Sequence, residues 1–320
     1  MGGGKVNEVK VSVVTATYNH EKFLPHTLQS IVEQKVNFKY EVLVGEDCST
    51  DNTAAVVREY AEKYPDIIVP YIREKNLGMT GNAMDLVARA KGEYVAFIEG
   101  DDYWIDEDKL QKQVDFLDTH PDYIAVFGKC IIVDEEERRH PEVEQYSGFV
   151  KTGGEYTIKE FKDYLLPGQT ATAVYRKVAY GELMKKMQSI QIDASQMIDR
   201  MLVLCMLSLG KMHVMDEEVA AYRRMMNVES GSWSSKNDFY SVENLMQYLK
   251  GLQILEQVAQ MLGLPLCFDK RRNYELKKLY DNRNHFSANE FVKLQRAIQA
   301  DYKSKLAFFC TKIKLLLRRS

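Results

Sequence analysis

The chain has 320 residues, of which 45% are apolar and 28% are charged, so it has the composition of a globular protein with one large domain or two small ones. Its 43 basic and 46 acidic residues leave a net charge of -3, and this balance does not favour nucleic acid as a partner. Five scattered cysteines without a Cys-x-x-Cys pair indicate free thiols in a reducing compartment.

The N-terminus and the apolar runs bear on location. Residues 1–8 are expected to form a flexible N-terminus. The start of this segment, Gly2-Gly3-Gly4-Lys5, lacks the apolar core of a signal peptide. No apolar run approaches the ~18 residues that a membrane-spanning helix needs. The sequence therefore predicts a cytoplasmic protein that touches a membrane surface at most.

The first hundred residues alternate between strand-like and helix-like segments. Strands are predicted over 9–16, 40–44, 67–72 and 94–98, with helices at about 23–34 and 54–63 and a third ending near Ala90. The strands are apolar enough to be buried on both faces. This pattern predicts an α/β fold in which helices sandwich a mostly parallel sheet.

A polar cluster follows each of these four strands. Open parallel sheets bind ligands outside the carboxyl ends of their strands, so four clusters at one edge predict a binding site. A Rossmann dinucleotide site is not favoured, because the first strand-to-helix turn, A-T-Y-N-H-E-K, contains no glycine. The clusters are Thr17-Tyr18, Asp47, Asn76 to Gly78, and Glu99 to Asp101.

The fourth cluster is a strand that ends in three carboxylates. Carboxylates at the mouth of a buried strand are costly unless they bind a positive group. Glu99 and Asp101 are two residues apart, a spacing that allows both to reach one Mg²⁺ or Mn²⁺ ion. The alternative is a surface turn whose acids are merely solvated, and the other three clusters favour the metal site.

Taken together, these segments resemble the glycosyltransferase family 2 proteins of bacterial glycan assembly, which have the GT-A fold. The resemblance covers about 9–115 and rests on V-S-V-V-T-A-T-Y-N, V-L-V-G-E-D-C-S-T-D-N-T, N-L-G-M-T-G-N-A-M-D-L-V-A-R-A-K-G-E-Y and F-I-E-G-D-D-Y-W. It implies a GT-A domain over 9–235, divided into a nucleotide-sugar-binding half (9–115) and an acceptor half (116–235). A helical C-terminal region would follow over 236–320.

The resemblance also implies roles for the clusters on the nucleotide side. Thr17 and Tyr18 would line the nucleotide pocket, and Asp47 would accept a hydrogen bond from a uracil-type base, so a UDP-sugar is the expected donor. The wall near the base and ribose would be shaped by Asn76, Gly78 and Asn82.

The acidic stretch Glu99-Gly100-Asp101 would occupy the family's D-x-D position, with Asp101 as the direct metal ligand and the cofactor Mn²⁺ or Mg²⁺. Asp102 and Trp104 are expected to face the acceptor. Two acids depart from the commoner pattern, since Glu99 and Glu46 each replace an Asp, and Cys48 stands in place of the Gly of D-D-G-S.

In the second half, a strand is predicted over 123–127, residues 170–176 resemble the family's strand next to the active site, and Ser287 to Glu290 has a capping-box signature.

The second half would also supply the general base and a closing arginine. The family shows an Asp before an apolar helix, then Gly-Lys, a strand and a Tyr-Arg pair. Counting back from Tyr222-Arg223 places Asp199 at that Asp, with Asp193 as its rival. The alternative is that Asp199 only caps or decorates the helix. Arg223, with Arg224 as the alternative, is expected to neutralise the diphosphate.

Two further features concern the acceptor and possible partner surfaces. Trp104 and Trp233 fit an aromatic platform for a sugar ring, and ordinary packing fits them equally well. Residues 302–320 form a basic amphipathic segment without an acid, which fits an anionic membrane surface. The alternative for this segment is a helix that packs on its own domain or pairs with a second subunit.

The sequence thus predicts a metal-dependent, inverting glycosyltransferase of the hexosyl- or N-acetylhexosaminyl-transferase class. It would move a sugar from a nucleotide-sugar to a hydroxyl of a glycan or a lipid-linked glycan, as in bacterial surface polysaccharide assembly. Two alternatives stand beside it: a sugar nucleotidyltransferase, and a non-catalytic scaffold that binds nucleotide-sugars. The nucleotidyltransferase would be expected to carry a glycine-rich, basic loop after the first strand, which this chain lacks.

Overall fold

The computed structural model describes residues 9–145, 147–190, 198–225, 242–302 and 305–317. The described residues form two compact units, one drawn from 1–156, 167–184 and 209–226 and the other from 157–166, 185–208 and 227–320. The second unit therefore takes in residues 157–166 and 185–208, which the sequence assigned to the acceptor half of the GT-A domain. Asp199 lies in one of these stretches.

The first unit is built on a sheet in which nine strands are described. They are β1 (Val11–Thr17), β2 (Tyr40–Glu46), β3 (Ile68–Ile72), β4 (Tyr94–Glu99), β5 (Tyr103–Trp104), β6 (Tyr123–Val133), β7 (Gly154–Tyr156), β8 (Val174–Arg176) and β9 (Lys211–Arg223). Their order is β3-β2-β1-β4-β8-β6-β9-β5, and β7 pairs with β9.

The described helices are α1 (Leu24–Val32), α2 (Thr53–Lys63), α3 (Gly78–Arg89), α4 (Lys109–Thr119), α5 (Pro141–Glu144), α6 (Ile158–Lys162), α7 (Lys177–Ser189), α8 (Ile198–Leu207), α9 (Val242–Met261), α10 (Asp269–Asp281), α11 (Ala288–Asp301) and α12 (Lys305–Leu317). Ser287 and Glu290 form the predicted capping box at the start of α11. No helix in the described part of the chain is long and apolar enough to span a membrane.

Strand pairing confirms the predicted α/β fold with a mostly parallel nucleotide half. β1 is parallel to β2 and β4, and β2 is parallel to β3. β8 is antiparallel to both β4 and β6, while β6 and β9 are parallel. Because β8 reverses the direction between β4 and β6, the start of β8 and the carboxyl ends of β4 and β6 lie at the same edge of the sheet.

Helix α1 shows how the apolar pattern positions this edge. Leu24, Leu28 and Ile31 lie on one helical face and are fully buried against the valines of β1 and β2. Burying each such side chain contributes about 1.5–3 kcal/mol. The helix is thereby fixed under the loop that follows β1.

Three predicted boundaries shift in the structure. The strand expected over 123–127 continues to Val133, since β9 pairs with it over this extra length. Only Val174–Arg176 of the strand predicted over 170–176 is extended, because the Gln169 side chain accepts a hydrogen bond from the Ala171 amide and caps a 3-10 turn at Thr170–Thr172. Asn82, expected in a loop, lies inside α3.

Cys48 occupies a backbone conformation that suits glycine, with φ at 62°. A left-handed conformation costs an ordinary residue about 1–2 kcal/mol, while glycine adds about 0.5–1 kcal/mol of unfolded-state entropy. We therefore expect Cys48→Gly to raise the free energy of unfolding by about 0.5–1 kcal/mol, measured by urea denaturation. Cys267→Gly is the matched control, because Cys267 lacks a positive φ, and it should lose stability. A loss for Cys48→Gly would contradict the assignment of strain.

Candidate active site

The acidic turn after β4 comprises Glu99 to Asp102 and lies beside the loop that follows β1. Its backbone is tied to β1 by the Gly100 amide, which donates to the Ala16 carbonyl at 3.1 Å. Thr27 on α1 donates its hydroxyl to the carbonyls of Gly100 (3.0 Å) and Asp102 (2.7 Å). The turn is therefore held from below by α1 and from one side by β1.

Gly100 is needed for this close approach. A Cβ at this position would lie 2.4 Å from Thr17 Oγ1 and 2.8 Å from His20 Nδ1. Any side chain would push the acidic turn away from the end of β1. His20 Nε2 also lies 3.9 Å from Asp101 Oδ2, a contact that the sequence analysis did not predict.

The three carboxylates of the turn differ in exposure. Glu99 and Asp101 are partly exposed, whereas Asp102 is 1% exposed. Asp102 Oδ1 accepts the Arg223 amide at 2.8 Å, and its Oδ2 accepts the Gln169 amide nitrogen at 2.9 Å. Burial, followed by the charges of Asp101 and Glu99, raises the pKa of Asp102 well above its usual range. Asp102 thus holds the turn together.

The turn fits a divalent cation of the Mg²⁺ type. Three crowded carboxylates repel one another, as the raised pKa of Asp102 indicates, and a cation would relieve that repulsion. The described residues contain no group of three or more His, Cys, Asp or Glu side chains placed to hold a metal. Glu99 and Asp101 would therefore supply part of the ligand set, with diphosphate oxygens and water completing it, as is usual for Mg²⁺.

The nucleotide-side clusters converge on the same edge. The Asp47 amide donates to the Thr17 carbonyl at 3.0 Å, and Asp47 Oδ1 accepts the Leu77 amide at 2.8 Å. Asn76 donates to the Asp47 carbonyl at 3.0 Å, and its side-chain oxygen accepts the Gly78 amide. Asp47 thus joins the ends of β1 and β2 to the start of α3.

Exposure distinguishes the predicted nucleotide-side residues. Tyr18 is 43% exposed, and Asn76 and Gly78 are also exposed. Thr17 and Asn82 are buried, and Asn82 donates to the Gly45 carbonyl at 2.7 Å. Their roles toward a nucleotide stay predictions.

Arg223 lies behind the acidic turn. Its guanidinium is buried and donates to the carbonyls of Asp101 (2.8 Å) and Asp134 (3.0 Å) and to Glu137 Oε1 (2.9 Å). These bonds fix the backbone of the turn. A contact between Arg223 and a diphosphate stays a prediction, and it would have to form from this buried position.

Trp104 is 4% exposed and belongs to the hydrophobic core. Its indole nitrogen donates to the Ala171 carbonyl at 2.9 Å. This burial favours the packing alternative over an exposed platform for a sugar. Trp233, the other candidate platform, lies outside the described residues.

Asp199 lies in the first turn of α8, within the second unit. Although much of its surface is exposed, the neighbouring atoms exclude enough water to raise the pKa of its carboxyl. A raised pKa suits a general base, and the assignment stays a prediction. Asp193, its rival, lies outside the described residues.

Gln169 is the site residue that the sequence analysis missed. Its amide nitrogen donates to Asp102 Oδ2 at 2.9 Å and lies 3.3 Å from Glu99 Oε2, while its oxygen accepts the Ala171 amide. The single side chain therefore spans both ends of the acidic turn. The only signal in the sequence is a polar residue between Gly168 and an apolar stretch, and that signal is weak.

We expect Gln169→Leu to lower the free energy of unfolding by about 1–3 kcal/mol, because Asp102 Oδ2 loses a buried donor. Turnover should fall by about tenfold or more as Glu99 shifts, while the KM for the donor changes less. Gln169→Glu is the comparison, because it keeps the shape of the side chain and adds charge beside two acids. Its turnover should be lower still at high pH. Wild-type turnover in Gln169→Leu would remove Gln169 from the site.

The fold is an α/β sheet of the GT-A type, with the acidic turn after β4 at its edge. A family model described as glycosyl transferase family 2 matches residues 12–183, more than half of the chain. The chain therefore belongs to glycosyl transferase family 2, which confirms the resemblance and the predicted enzyme class.

Two relatives of this chain differ in how much of it they cover. An uncharacterized protein of Mycobacterium tuberculosis is 38% identical over 132 residues, which are 41% of this chain and 38% of that protein. An uncharacterized glycosyltransferase of Nostoc sp. is 26% identical over 307 residues, covering 91% of this chain and 88% of the relative. The chain thus spans well under half of the mycobacterial relative and most of the cyanobacterial one.

Solved structures support the fold. Residues 1–349 of Staphylococcus aureus TarS in complex with UDP-GlcNAc superpose with a TM-score of 0.59 at 22% identity, covering 96% of this chain and 88% of that one. The mannosyltransferase of Pyrobaculum calidifontis in complex with GDP-Man and Mn²⁺ gives a TM-score of 0.50 at 16% identity, covering 100% and 92%. At these identities the likeness concerns the fold alone.

Proposed function

We propose that the protein transfers a sugar from a nucleotide-sugar to an acceptor hydroxyl, with UDP-sugar as the donor and with inversion at the transferred carbon. The observation that carries the proposal is that Tyr18, Asp47 and Asn76 follow parallel strands whose carboxyl ends lie at the same sheet edge as the acidic turn. The solved relatives with UDP-GlcNAc and with GDP-Man and Mn²⁺ support a nucleotide-sugar donor and a divalent metal. The acceptor would be a glycan or a lipid-linked glycan of a bacterial surface polysaccharide.

Each group of this site has a task in such a transfer. Breaking a sugar-diphosphate bond develops negative charge on the diphosphate, and a divalent metal, when bound, stabilises that charge. Glu99 and Asp101 would hold the metal, and Asp102 with Gln169 would keep both carboxylates in place. The acceptor hydroxyl must lose a proton as it attacks, and Asp199 is the proposed base. One displacement with one base gives inversion.

A panel of nucleotide-sugars tests the proposal. We expect one UDP-sugar to be turned over, with release of UDP, only when Mn²⁺ or Mg²⁺ is present. A nucleotidyltransferase would instead release pyrophosphate from a nucleoside triphosphate and a sugar 1-phosphate. A scaffold would bind UDP in a calorimetric titration without turnover of any donor, and that result would defeat the proposal.

We also propose that α12 docks on an anionic membrane surface, which would bring the enzyme to a lipid-linked acceptor at the inner face of the plasma membrane. Phe309 and Ile313, four residues apart and so on one helical face, are 50% and 55% exposed. The segment 302–320 carries six basic residues and no acid. A second subunit is the alternative occupant of this face.

Vesicle sedimentation separates these two outcomes for α12. We expect the protein to pellet with vesicles that contain phosphatidylglycerol and to remain in the supernatant with neutral vesicles. Phe309→Ser with Ile313→Ser should abolish pelleting, while Val178→Ser, which removes an 81% exposed apolar side chain elsewhere, should not. Pelleting that survives the double change would reject the role of α12, and a monomer formed by the same change would indicate a subunit interface.

A further inference from the structure

A cavity of about 340 Å³ lies in the first unit beside the acidic turn. Its wall includes Cys130 from β6, the Gly168 backbone next to Gln169, and Glu144, Ser147, Phe149 and Lys151 from the segment that contains α5. The volume falls within the roughly 300–1,000 Å³ that is usual for small-molecule sites.

The sheet order places the cavity on the opposite side of the acidic turn from the nucleotide cluster. Tyr18, Asp47 and Asn76 follow β1, β2 and β3, which lie to one side of β4. β6 and β9, which contribute Gly128 to Cys130 and Glu218 to the wall, lie to the other side. The turn after β4 therefore separates a donor side from the cavity side.

The wall of the cavity is linked to the acidic turn through Gln169. Gly168 in its wall precedes Gln169, whose amide donates to Asp102 and Glu99. The Cys130 thiol is close enough to Asp102 for that charge, after burial, to help raise its pKa to about 12. At this pKa Cys130 is a neutral thiol near pH 7 and serves as a wall rather than a nucleophile.

The groups that line the cavity suit a neutral ligand with hydroxyl groups better than a ligand with a net charge. Arg139 pairs with both Glu144 and Glu218 of the wall, at 2.9 and 3.0 Å, and Lys151 supplies the second positive charge that balances these two acids. Lys129 is paired with Asp216 at 2.6 Å. Lys151 donates to the Glu144 carbonyl at 2.6 Å and to the Ser147 hydroxyl at 2.5 Å. The wall therefore contains both hydrogen-bond donors and acceptors, and Phe149 adds one aromatic residue to it.

From this geometry we infer that the cavity binds a polyhydroxylated unit of the acceptor, either a pyranose ring or a linear polyol. The inference rests on the proposed function, since the bound unit would present one hydroxyl toward the acidic turn from the side opposite the donor. Gln145, Ser147 and Lys151 would exchange hydrogen bonds with its remaining hydroxyls. Gln145 lines the cavity and is exposed to solvent, so it lies at the rim.

The experiment is saturation-transfer NMR with four probes at millimolar concentration: methyl β-glucopyranoside, methyl N-acetyl-β-glucosaminide, ribitol and glycerol. We expect saturation to pass from the wild-type protein to at least one probe. Whether the pyranosides or the linear polyols receive it identifies the class of the bound unit. Gln145→Trp, which fills the rim, should weaken binding by about tenfold or more, equivalent to about 1.4 kcal/mol. Ser147→Ala is a smaller change that should weaken it by a lesser factor.

Val178→Trp is the matched control, because it adds the same ring at an exposed position that does not line the cavity, and it should leave probe binding unchanged. A wild type that saturates none of the four probes overturns the inference, and so does an equal loss in both tryptophan variants. UDP binding measured on the same samples reports separately on the proposed function. Its absence in the wild type would count against sugar transfer while the probes still test the cavity.

Discussion

Asp101→Asn is expected to reduce metal-dependent sugar transfer by about three orders of magnitude. The side chain is partly exposed at the end of β4, where it would contact the metal, and the amide keeps its shape while removing the charge. Lewis-acid stabilisation of a leaving diphosphate contributes several kcal/mol, and a loss of about 4 kcal/mol corresponds to about a thousandfold in rate. Turnover of the preferred nucleotide-sugar at saturating Mn²⁺ measures the effect.

A second readout separates metal binding from folding. Mn²⁺ with UDP should raise the melting temperature of the wild type, because ligands that bind only the folded state stabilise it. Asp101→Asn should lose most of this rise and keep its melting temperature without ligand. Asp115→Asn on α4 is the control, since it makes the same charge change at an exposed position. Wild-type turnover in Asp101→Asn would show that Asp101 does not hold the metal.

The nucleotide side of this protein could be predicted from sequence because its signals are local. Each strand there is rich in apolar residues, and each polar cluster follows its strand directly or after a few residues, so a parallel sheet brings the clusters together. The family resemblance extended this prediction from a binding edge to named roles. The succession of the first four strands along the chain, and the acidic turn after the fourth, could be predicted without any knowledge of distant contacts.

The acceptor side could not be predicted in the same way, because its contacts join distant parts of the chain. Gln169 reaches Asp102 across 67 residues, and the Arg223 amide reaches it across 121. Neither residue lies in a periodic pattern that shows its partner. The burial of Arg223 is likewise a tertiary result, since Glu137 and the carbonyls that it binds come from loops.

Trp104 illustrates a further limit. A tryptophan beside an acidic motif fits a sugar platform as well as a core residue, and only its neighbours decide between them. The Ala171 carbonyl accepts the indole N–H, and α1 and α4 cover the ring. These groups come from three separate segments, so the local sequence around Trp104 does not show whether it is a sugar platform or a core residue.

Lys109 provides the second large expected effect, a rise in stability between pH 7 and pH 9 that disappears in Lys109→Met. The side chain is fully buried, its Nζ donates to Gln113 Oε1 at 2.8 Å, and it lies 4.4 Å from the centre of the Trp104 ring. Burial lowers the pKa of Lys109 to about 7, against the opposing influence of Asp106. The ammonium is therefore expensive to keep charged in the folded protein.

The sign of the effect follows from proton binding. Between about pH 7 and the unfolded value of 10.5, the unfolded chain binds more protons at this lysine than the folded one. Stability therefore rises with pH through this window. At about 1.36 kcal/mol for each pKa unit, the gain from pH 7 to pH 9 is about 2 kcal/mol.

Urea denaturation at pH 7 and pH 9 measures this difference. The change with pH is the quantity to compare, because Lys109→Met also leaves Gln113 Oε1 without its buried donor and so alters the absolute free energy of unfolding. Lys112→Met is the control, since Lys112 is half-exposed on the same helix and pairs with Asp106. It should keep the wild-type rise. An equal rise in Lys109→Met would show that Lys109 remains charged in the folded core, where the Trp104 ring and Gln113 would then have to stabilise it.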